Sequence, residues 1–251
     1  MMGQRAMAVR NANAPRRWRT RRIVGATLMA LACLLILSQL WFFFRIVYYA
    51  YQPPGQTAVM RQALSQLREK NEDAVLAYDW VSYDQINASL KRAVIAAEDA
   101  NFVSHSGVEW EAIRKAWEYN QAQAEAGRAR MRGGSTISQQ LAKNLFLSGS
   151  RTYVRKGQEL VLTYMIEHVM SKERILTLYL NVAEWGVGVF GAQAAARHYF
   201  KTDAAKLTNA QAARLAAMLP NPRFYDTNRN TRYLNSRTST LQARMRGAEI
   251  P

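Results

Sequence analysis

Sulfur chemistry is almost absent from this chain. One of its 251 residues is cysteine, Cys33, and it falls inside a long apolar run, which excludes disulfides and thiolate metal sites from the remainder. Histidine is nearly as scarce. His105, His168 and His198 stand apart in sequence, with no HExxH and no paired spacing, and this argues against a histidine metal site. No GxxxxGK is present, so there is no P-loop, and the GGSTI stretch at 133–137 is not the GxSxG elbow of a serine hydrolase. No internal repeat occurs. Acid is missing from two whole stretches: residues 1–45 hold eight arginines and no Asp or Glu, and no acid lies between Glu125 and Glu159.

The first acid-free stretch reads as a membrane signal. Seven arginines (Arg5, Arg10, Arg16, Arg17, Arg19, Arg21, Arg22) precede IVGATLMALACLLILSQLWFFF, which carries no charge over residues 23–44. At 1.5 Å per residue such a helix spans about 33 Å, the thickness of a hydrocarbon core. A cleaved signal peptide shares the basic-then-apolar order, but its apolar region is usually shorter, and here the run enters Trp41, Phe42, Phe43, Phe44 and Arg45 with no small-residue cleavage site. The expectation is an uncleaved transmembrane helix over 23–47, a cytoplasmic basic segment over 1–22, and a catalytic domain outside the cytoplasm. The 34 Lys+Arg against 18 Asp+Glu give a net charge of +16, about half of it beyond the anchor. A basic domain tethered beside a bilayer points to anionic lipid or a phosphorylated substrate, and the tether argues against nucleic acid.

QPPGQT at 52–57 breaks the pattern after the anchor, and residues 48–74 read as a linker and membrane-proximal segment. Helical periodicity then dominates, so the fold class is mainly α. Ser82-x-x-Gln85 reads as a capping box for a helix bearing Ile86, Leu90, Ala93, Val94 and Ala97 and ending near Glu98. Ser106-x-x-Glu109 reads as the cap of the next. Residues 121–134 read as a polar loop, and further helices are predicted from Ser135, over 154–170, over SKERILTLYLN, and from Thr208-x-x-Gln211 to Pro220. Only 75–81 reads as extended. Residues 226–251 read as a polar tail that frays.

The second acid-free stretch carries seven cations: Arg128, Arg130, Arg132, Lys143, Arg151, Arg155 and Lys156. A solvated basic face is one reading and a polyanion site the other. Gly133-Gly134 ahead of a helix start lets backbone approach an anion, and helix N-termini attract anions. Gln139 and Lys143 stand four apart on that helix, as do Gln140 and Asn144. Arg155 and Glu159 have the spacing of an ordinary ion pair. Glu98 closes an apolar helix beside Asp99, so burial and a neighbouring charge are both available to raise its pKa, as a general base requires. A carboxylate facing a basic site is the minimum equipment for glycosyl transfer from a lipid-pyrophosphate sugar.

These residues resemble a known family. EDANFVSHSG is similar to the EDxxFxxHxG signature of peptidoglycan glycosyltransferases. RGGSTISQQLAKN resembles their GGSTIxQQxxKN, RKGQE their RKxxE, and SKERILTLYLN and AARHYFKTDAAKLTNAQAARLAAMLPNP their fourth and fifth motifs, in the family's order over about residues 75–225. NVAEWGVGVFG and the chain length resemble the monofunctional biosynthetic branch of Gram-negative bacteria. The resemblance implies a lysozyme-like glycosyltransferase domain (75–225) with a smaller membrane-proximal jaw subdomain, at the inner membrane and facing the periplasm. It further implies polymerisation of lipid II, with lipid II, the growing lipid-linked glycan and cell-division or cell-wall synthesis proteins as partners. It makes Glu98 the catalytic base and Glu159 the second essential glutamate, and it puts Lys143, Arg151 and Arg155 at the donor phosphates with Lys156 and Gln139 nearby. Ser135, Thr136, Gln140 and Asn144 would shape the cleft, and Asp99, Phe102, His105 and Gly107 complete motif one, with His105 structural. No organic cofactor is implied; a divalent cation, Mg2+ or Mn2+, is the candidate at the donor diphosphate. Two positions depart from the pattern, Thr177 and Gln211 standing where glutamate is usual, which puts a stabilising ion pair in doubt. A lysozyme-like glycan-cleaving enzyme and a lipid-binding membrane scaffold remain as rival readings.

Overall fold

A computed structural model describes residues 14–128, 133–147, 149 and 152–251. The chain divides into two units, 1–45 and 46–251. Helix α1 (Ala14–Tyr51) straddles the boundary, and residues Thr20–Tyr51 form a helix long and apolar enough to cross a membrane. Its side chains from Ile23 through Leu37 are exposed, so it is no core helix of a globular unit. The two hydroxyls in its apolar stretch turn back on the helix: Thr27 Oγ1 donates to Ile23 O and Ser38 Oγ to Leu35 O. Polar groups satisfied in this way need no water.

The second unit is a helical domain with one small sheet. Its helices are α2 (Ala58–Arg68), α3 (Ala88–Glu98), α4 (Trp110–Glu125), α5 (Ile137–Phe146), α6 (Tyr153–Val169), α7 (Lys172–Val182), α8 (Ala192–Phe200), α9 (Asn209–Met218), α10 (Pro222–Thr227) and α11 (Arg232–Arg244). The sheet has the order β1 (Ala77–Tyr78), β3 (Val189–Phe190), β2 (Glu184–Gly186). β1 pairs parallel to β3 in the register Ala77↔Val189, and β2 pairs antiparallel with a bulge between Glu184 and Gly186. Asn181 pins the extended stretch after β1 by accepting from Val81 N and donating to Val81 O.

Helix α7 is the axis of the domain. Every residue from Ile175 to Val182 is buried, which is how a helix surrounded on all sides reads. Each fully buried Leu or Ile there contributes about 1.5–3 kcal/mol. Helices α5, α6 and α8 pack around it, while α3 packs with α9 and α11 in a second group. The C-terminal end of α3 lies where the two groups meet. Helix α4 buries only Ala116 and is the lightly packed, smaller part of the domain.

Several local expectations are corrected. Helix α3 is capped by Asn87, which accepts from Ser89 N, whereas the Ser82–Gln85 pair closes a turn just before it. Helix α4 opens at Trp110 with no side-chain cap, because Glu109 is engaged by Asn101 at 2.6 Å. The expected loop at 121–134 is helical as far as Glu125. The segment 226–251 does not fray through its described length: α11 forms, and Leu234, Leu241 and Met245 are buried. Its apolar positions 234, 241 and 245 recur at helical spacing within polar sequence, enough to dock it against α9 and α3. Of the two departures, Gln211 completes a capping box with Thr208 that needs no charge, and Thr177 is buried with its hydroxyl bonded to Glu173 O at 2.7 Å.

Candidate active site

Helix α3 ends at Glu98, and the chain turns at Asp99, whose φ of −162° and ψ of 74° leave helical space. The two carboxylates therefore diverge. Asp99, with 1% of its side chain exposed, accepts from Ile137 N at 2.9 Å, the first amide of α5. A carboxylate at a helix N-terminus is a stabilising arrangement. Gly107 N donates to His105 Nδ1 at 3.0 Å, which leaves Nε2 to carry the ring proton and donate it to both Asp99 oxygens, at 2.9 and 3.0 Å. Thr136 Oγ1 donates to Gly107 O at 2.6 Å and closes the network. His105 is thus structural in this geometry, both ring nitrogens being spent on the fold.

Phe102 is fully buried with Lys172 Nζ 4.7 Å from its ring centroid, and Lys172 pairs with Glu167 at 2.8 Å, which also accepts from Ser138. Gly107 has φ +93°, and a Cβ there would lie 2.8 Å from Glu167 Cγ and 2.9 Å from Thr163 Cγ2. Gly107→Ala is therefore expected to lower stability by about 1–3 kcal/mol from backbone strain alone, with the clash adding to it. Thermal unfolding of the purified variant checks this.

Glu98 keeps 12% of its side chain open. Gln140 Nε2 donates to Glu98 Oε2 at 2.9 Å, and Tyr179 O–H donates to Gln140 Oε1 at 3.0 Å, fixing which end of the amide faces the carboxylate. Burial pushes the Glu98 pKa above the ordinary carboxylate value, against the opposing effects of the Gln140 hydrogen bond, Arg237 and Lys143, and Asp99 adds the smallest contribution. Of the two causes read from sequence, burial dominates. Tyr179 is itself buried, which holds its phenol well above the usual range and keeps it a donor.

The cations gather around the second glutamate. Glu159 has 4% of its side chain exposed and is paired with Arg155 at 3.1 Å and Lys156 at 2.5 Å. Lys156 also reaches Ser135 Oγ at 3.4 Å. Lys143 on α5 has no ion-pair partner within 4.0 Å among the described residues, although Glu159 and Glu98 both act on it; burial is the main cause that lowers its pKa. Arg155 Nε is buried without a hydrogen-bond partner, a donor left over in the middle of the basic cluster. Arg151, Arg130 and Arg132 lie outside the described residues.

Other candidate residues take structural parts. Gln139 is buried and completes the α5 capping box with Thr136, accepting from Thr136 N at 3.0 Å, so its side chain serves the helix rather than an anion. Asn144 is buried on α5. Gly134 approaches backbone rather than a ligand, since a Cβ there would lie 2.9 Å from Ile113 Cα of α4. Sequence reasoning missed Tyr179 and Arg237. The YLN of α7 carried a signal for the first; the polar C-terminal segment carried none for the second. A cavity of about 440 Å3 lined by Asp79, Trp80, Gln85, Gln193, Arg197 and Asp203 contains none of the candidate residues, and its Arg197 is already paired with Asp79 and Asp203.

The donor set does not fit a divalent cation held by the protein alone. Among the described residues no three of His, Cys, Asp and Glu cluster at ligand spacing, and both Glu159 oxygens are engaged by cations.

A transglycosylase family model matches residues 62–246. The chain is 70% identical over 230 residues to the biosynthetic peptidoglycan transglycosylase of Bordetella pertussis, covering 92% of this chain and 95% of the relative. It is 56% identical over 218 residues to that of Herminiimonas arsenicoxydans (87% and 93%) and 53% over 222 residues to that of Laribacter hongkongensis (88% and 96%). The helical domain is thus of the lysozyme-like kind expected. With a buried carboxylate at the end of α3, a cation cluster on α5 and α6, and relatives matched along nearly their whole length, the chain belongs to the transglycosylase family of peptidoglycan glycosyltransferases.

Proposed function

We propose that the protein polymerises lipid II into glycan strands by inverting glycosyl transfer. Glu98 takes the proton of the GlcNAc 4-hydroxyl of the acceptor lipid II. That oxygen attacks C1 of the MurNAc at the end of the growing chain from the face opposite the diphosphate. The C1–O bond breaks, its electron pair leaves with undecaprenyl pyrophosphate, and the α linkage becomes β. Lys143 carries the charge that develops on the departing diphosphate, assisted by Arg155 and Lys156, while Glu159 holds those two in place.

One feature supports this reading above the others: Glu98 and Lys143 face the same cleft closely enough for their charges to act on one another, and Lys143 has no ion-pair partner within 4.0 Å among the described residues. A base and an uncommitted cation in one cleft match the two ends of the reacting bond. A glycan-cleaving enzyme has no need of the cation. We further place α1 across the bacterial inner membrane, the basic residues 1–22 in the cytoplasm and the catalytic domain in the periplasm, from the arginine excess before the span.

Lys143→Ala removes a charged hydrogen-bond donor to the diphosphate, worth about 1.5–3 kcal/mol. Its kcat/KM for lipid II is expected to fall by about 10–150-fold. Purified protein, fluorescent lipid II and gel separation of the glycan chains measure it. Unchanged donor kinetics would remove Lys143 from the phosphate site, and no chains from the unaltered protein would overturn the polymerase reading.

A further inference from the structure

Helix α11 sends one guanidinium back to the end of α3. Arg237 Nη2 stands 3.9 Å from Glu98 Oε1 and donates to Ala97 O at 3.5 Å. The helix that carries it is fixed. Leu234 and Leu241 are buried, and Arg214 of α9 donates to Asn235 at 2.7 Å and Thr238 at 3.3 Å. Arg237 Nε is buried without a partner, so the group is held in place at the cost of an unsatisfied donor. This is a costly way to tie two helices together, and it calls for a reason beyond packing.

The reason lies in where Glu98 sits. A carboxylate at a helix C-terminus faces the partial negative charge of the last carbonyls, so the anion is disfavoured there before burial is counted. Asp99 beside it adds a second negative charge. The groups facing it from neighbouring elements are Gln140 and Lys143 of α5, Tyr179 of α7 through Gln140, and Arg237 of α11. From α9, Arg214 is spent on α11, and Arg246 in the 3-10 turn after α11 is exposed. Among the described residues, the positive charges acting on Glu98 are those of Lys143 and Arg237. Once a donor diphosphate binds, it neutralises Lys143. Arg237 is then the one cation, among the described residues, still holding the base as an anion.

We infer that Arg237 is a positioning residue for the general base, keeping the Glu98 carboxylate ionised and aimed while the donor diphosphate occupies Lys143. The inference rests on the proposed role of Glu98. Its effect belongs to the substrate-bound enzyme, so it acts on kcat more than on KM.

The test is the pH dependence of kcat at saturating lipid II. Arg237→Met is expected to move the acidic limb up by about one unit, a rate about tenfold lower on that limb, with the alkaline rate close to the unaltered protein's. Arg237→Lys is expected to restore most of the shift, and KM to change little in either. Should the methionine variant fail to fold, Arg237→Gln, which keeps a donor for Ala97 O, replaces it. A rate lowered equally at every pH, or an unmoved acidic limb, would overturn the inference. Glu98→Gln in parallel separates the two failures. If it retains activity, the base assignment falls. If it is inactive while the Arg237 variants keep the original limb, only the role of Arg237 falls.

Discussion

Glu98→Gln is expected to abolish chain growth and to make the protein more stable. Loss of a general base costs about 10²–10⁴-fold in rate, so glycan products should vanish on the time scale of the normal reaction. The side chain keeps its shape, and Gln140 can still donate to the amide oxygen at position 98. The stability change follows from burial. The folded-state pKa of Glu98 is raised above its unfolded value, so the folded form binds the proton more tightly. That contribution is fully present below the unfolded pKa and is lost as the pH rises through the folded one. At neutral pH the ionised Glu98 is therefore a net burden, and glutamine relieves it. The variant should melt higher by about 2–4 °C for each kcal/mol relieved, with the gap closing below about pH 4. Thermal unfolding at several pH values, beside a lipid II assay, reads both effects. Retained polymerisation would dismiss Glu98 as the base, and an unaltered melting temperature would dismiss the cost of its burial.

Glu159→Gln should move stability the other way. Both Glu159 oxygens hold cations, and 19% of the Arg155 side chain is exposed against 48% for Lys156. Removing the anion leaves Arg155 largely buried and unpaired, with its Nε already lacking a partner. Breaking such a pair costs about 3–5 kcal/mol, a melting temperature lower by about 10 °C. The exposed Lys156 adds little to that figure. Activity should fall with it, by about 10²–10³-fold, because two of the three described cations proposed for the diphosphate lose their anchor. The same substitution at two glutamates of one site thus gives opposite thermal shifts. A Glu159→Gln protein that melts higher than the unaltered one would mean that Glu159 is itself strained, and that it does not serve as the anchor.

Much of this was open to reading in the residues. The helices announced themselves through apolar spacing and, at Thr208-x-x-Gln211, a capping box, while the two Ser boxes misplaced their caps; the acid-free window located the cations. The part that escaped did so for physical reasons. Thr136-x-x-Gln139 carries the same capping signal as Thr208-x-x-Gln211, yet in a row of amides beside a lysine its role as a helix cap was hidden by the more interesting reading as an anion contact. Arg237 lies in a segment whose polarity resembles a tail, and tertiary contacts of α11, the packing of Leu234 and Leu241 and the bonds from Arg214, bring it to Glu98. Tyr179 sits on a helix buried over eight consecutive positions, where a hydroxyl's partner depends on tertiary contact alone. The two adjacent acids could be given different roles from their place at the helix end, but the backbone turn at Asp99 that parts them is not encoded in spacing.

The parting of Glu98 and Asp99 has a topological result. The chain leaves the cleft after Gly107 and comes back at Thr136, and the two ends are buttoned together by Thr136 Oγ1 to Gly107 O and Ile137 N to Asp99. Helix α4, held in addition by Asn101 to Glu109, lies on the excursion whose neck those bonds close. An excursion closed at its neck transmits little of its own motion to what lies beneath, and lengthening it costs only about 0.6 kcal/mol per doubling in loop entropy. The length of that excursion and the aim of the base are therefore separate properties of this fold, free to be altered one without the other.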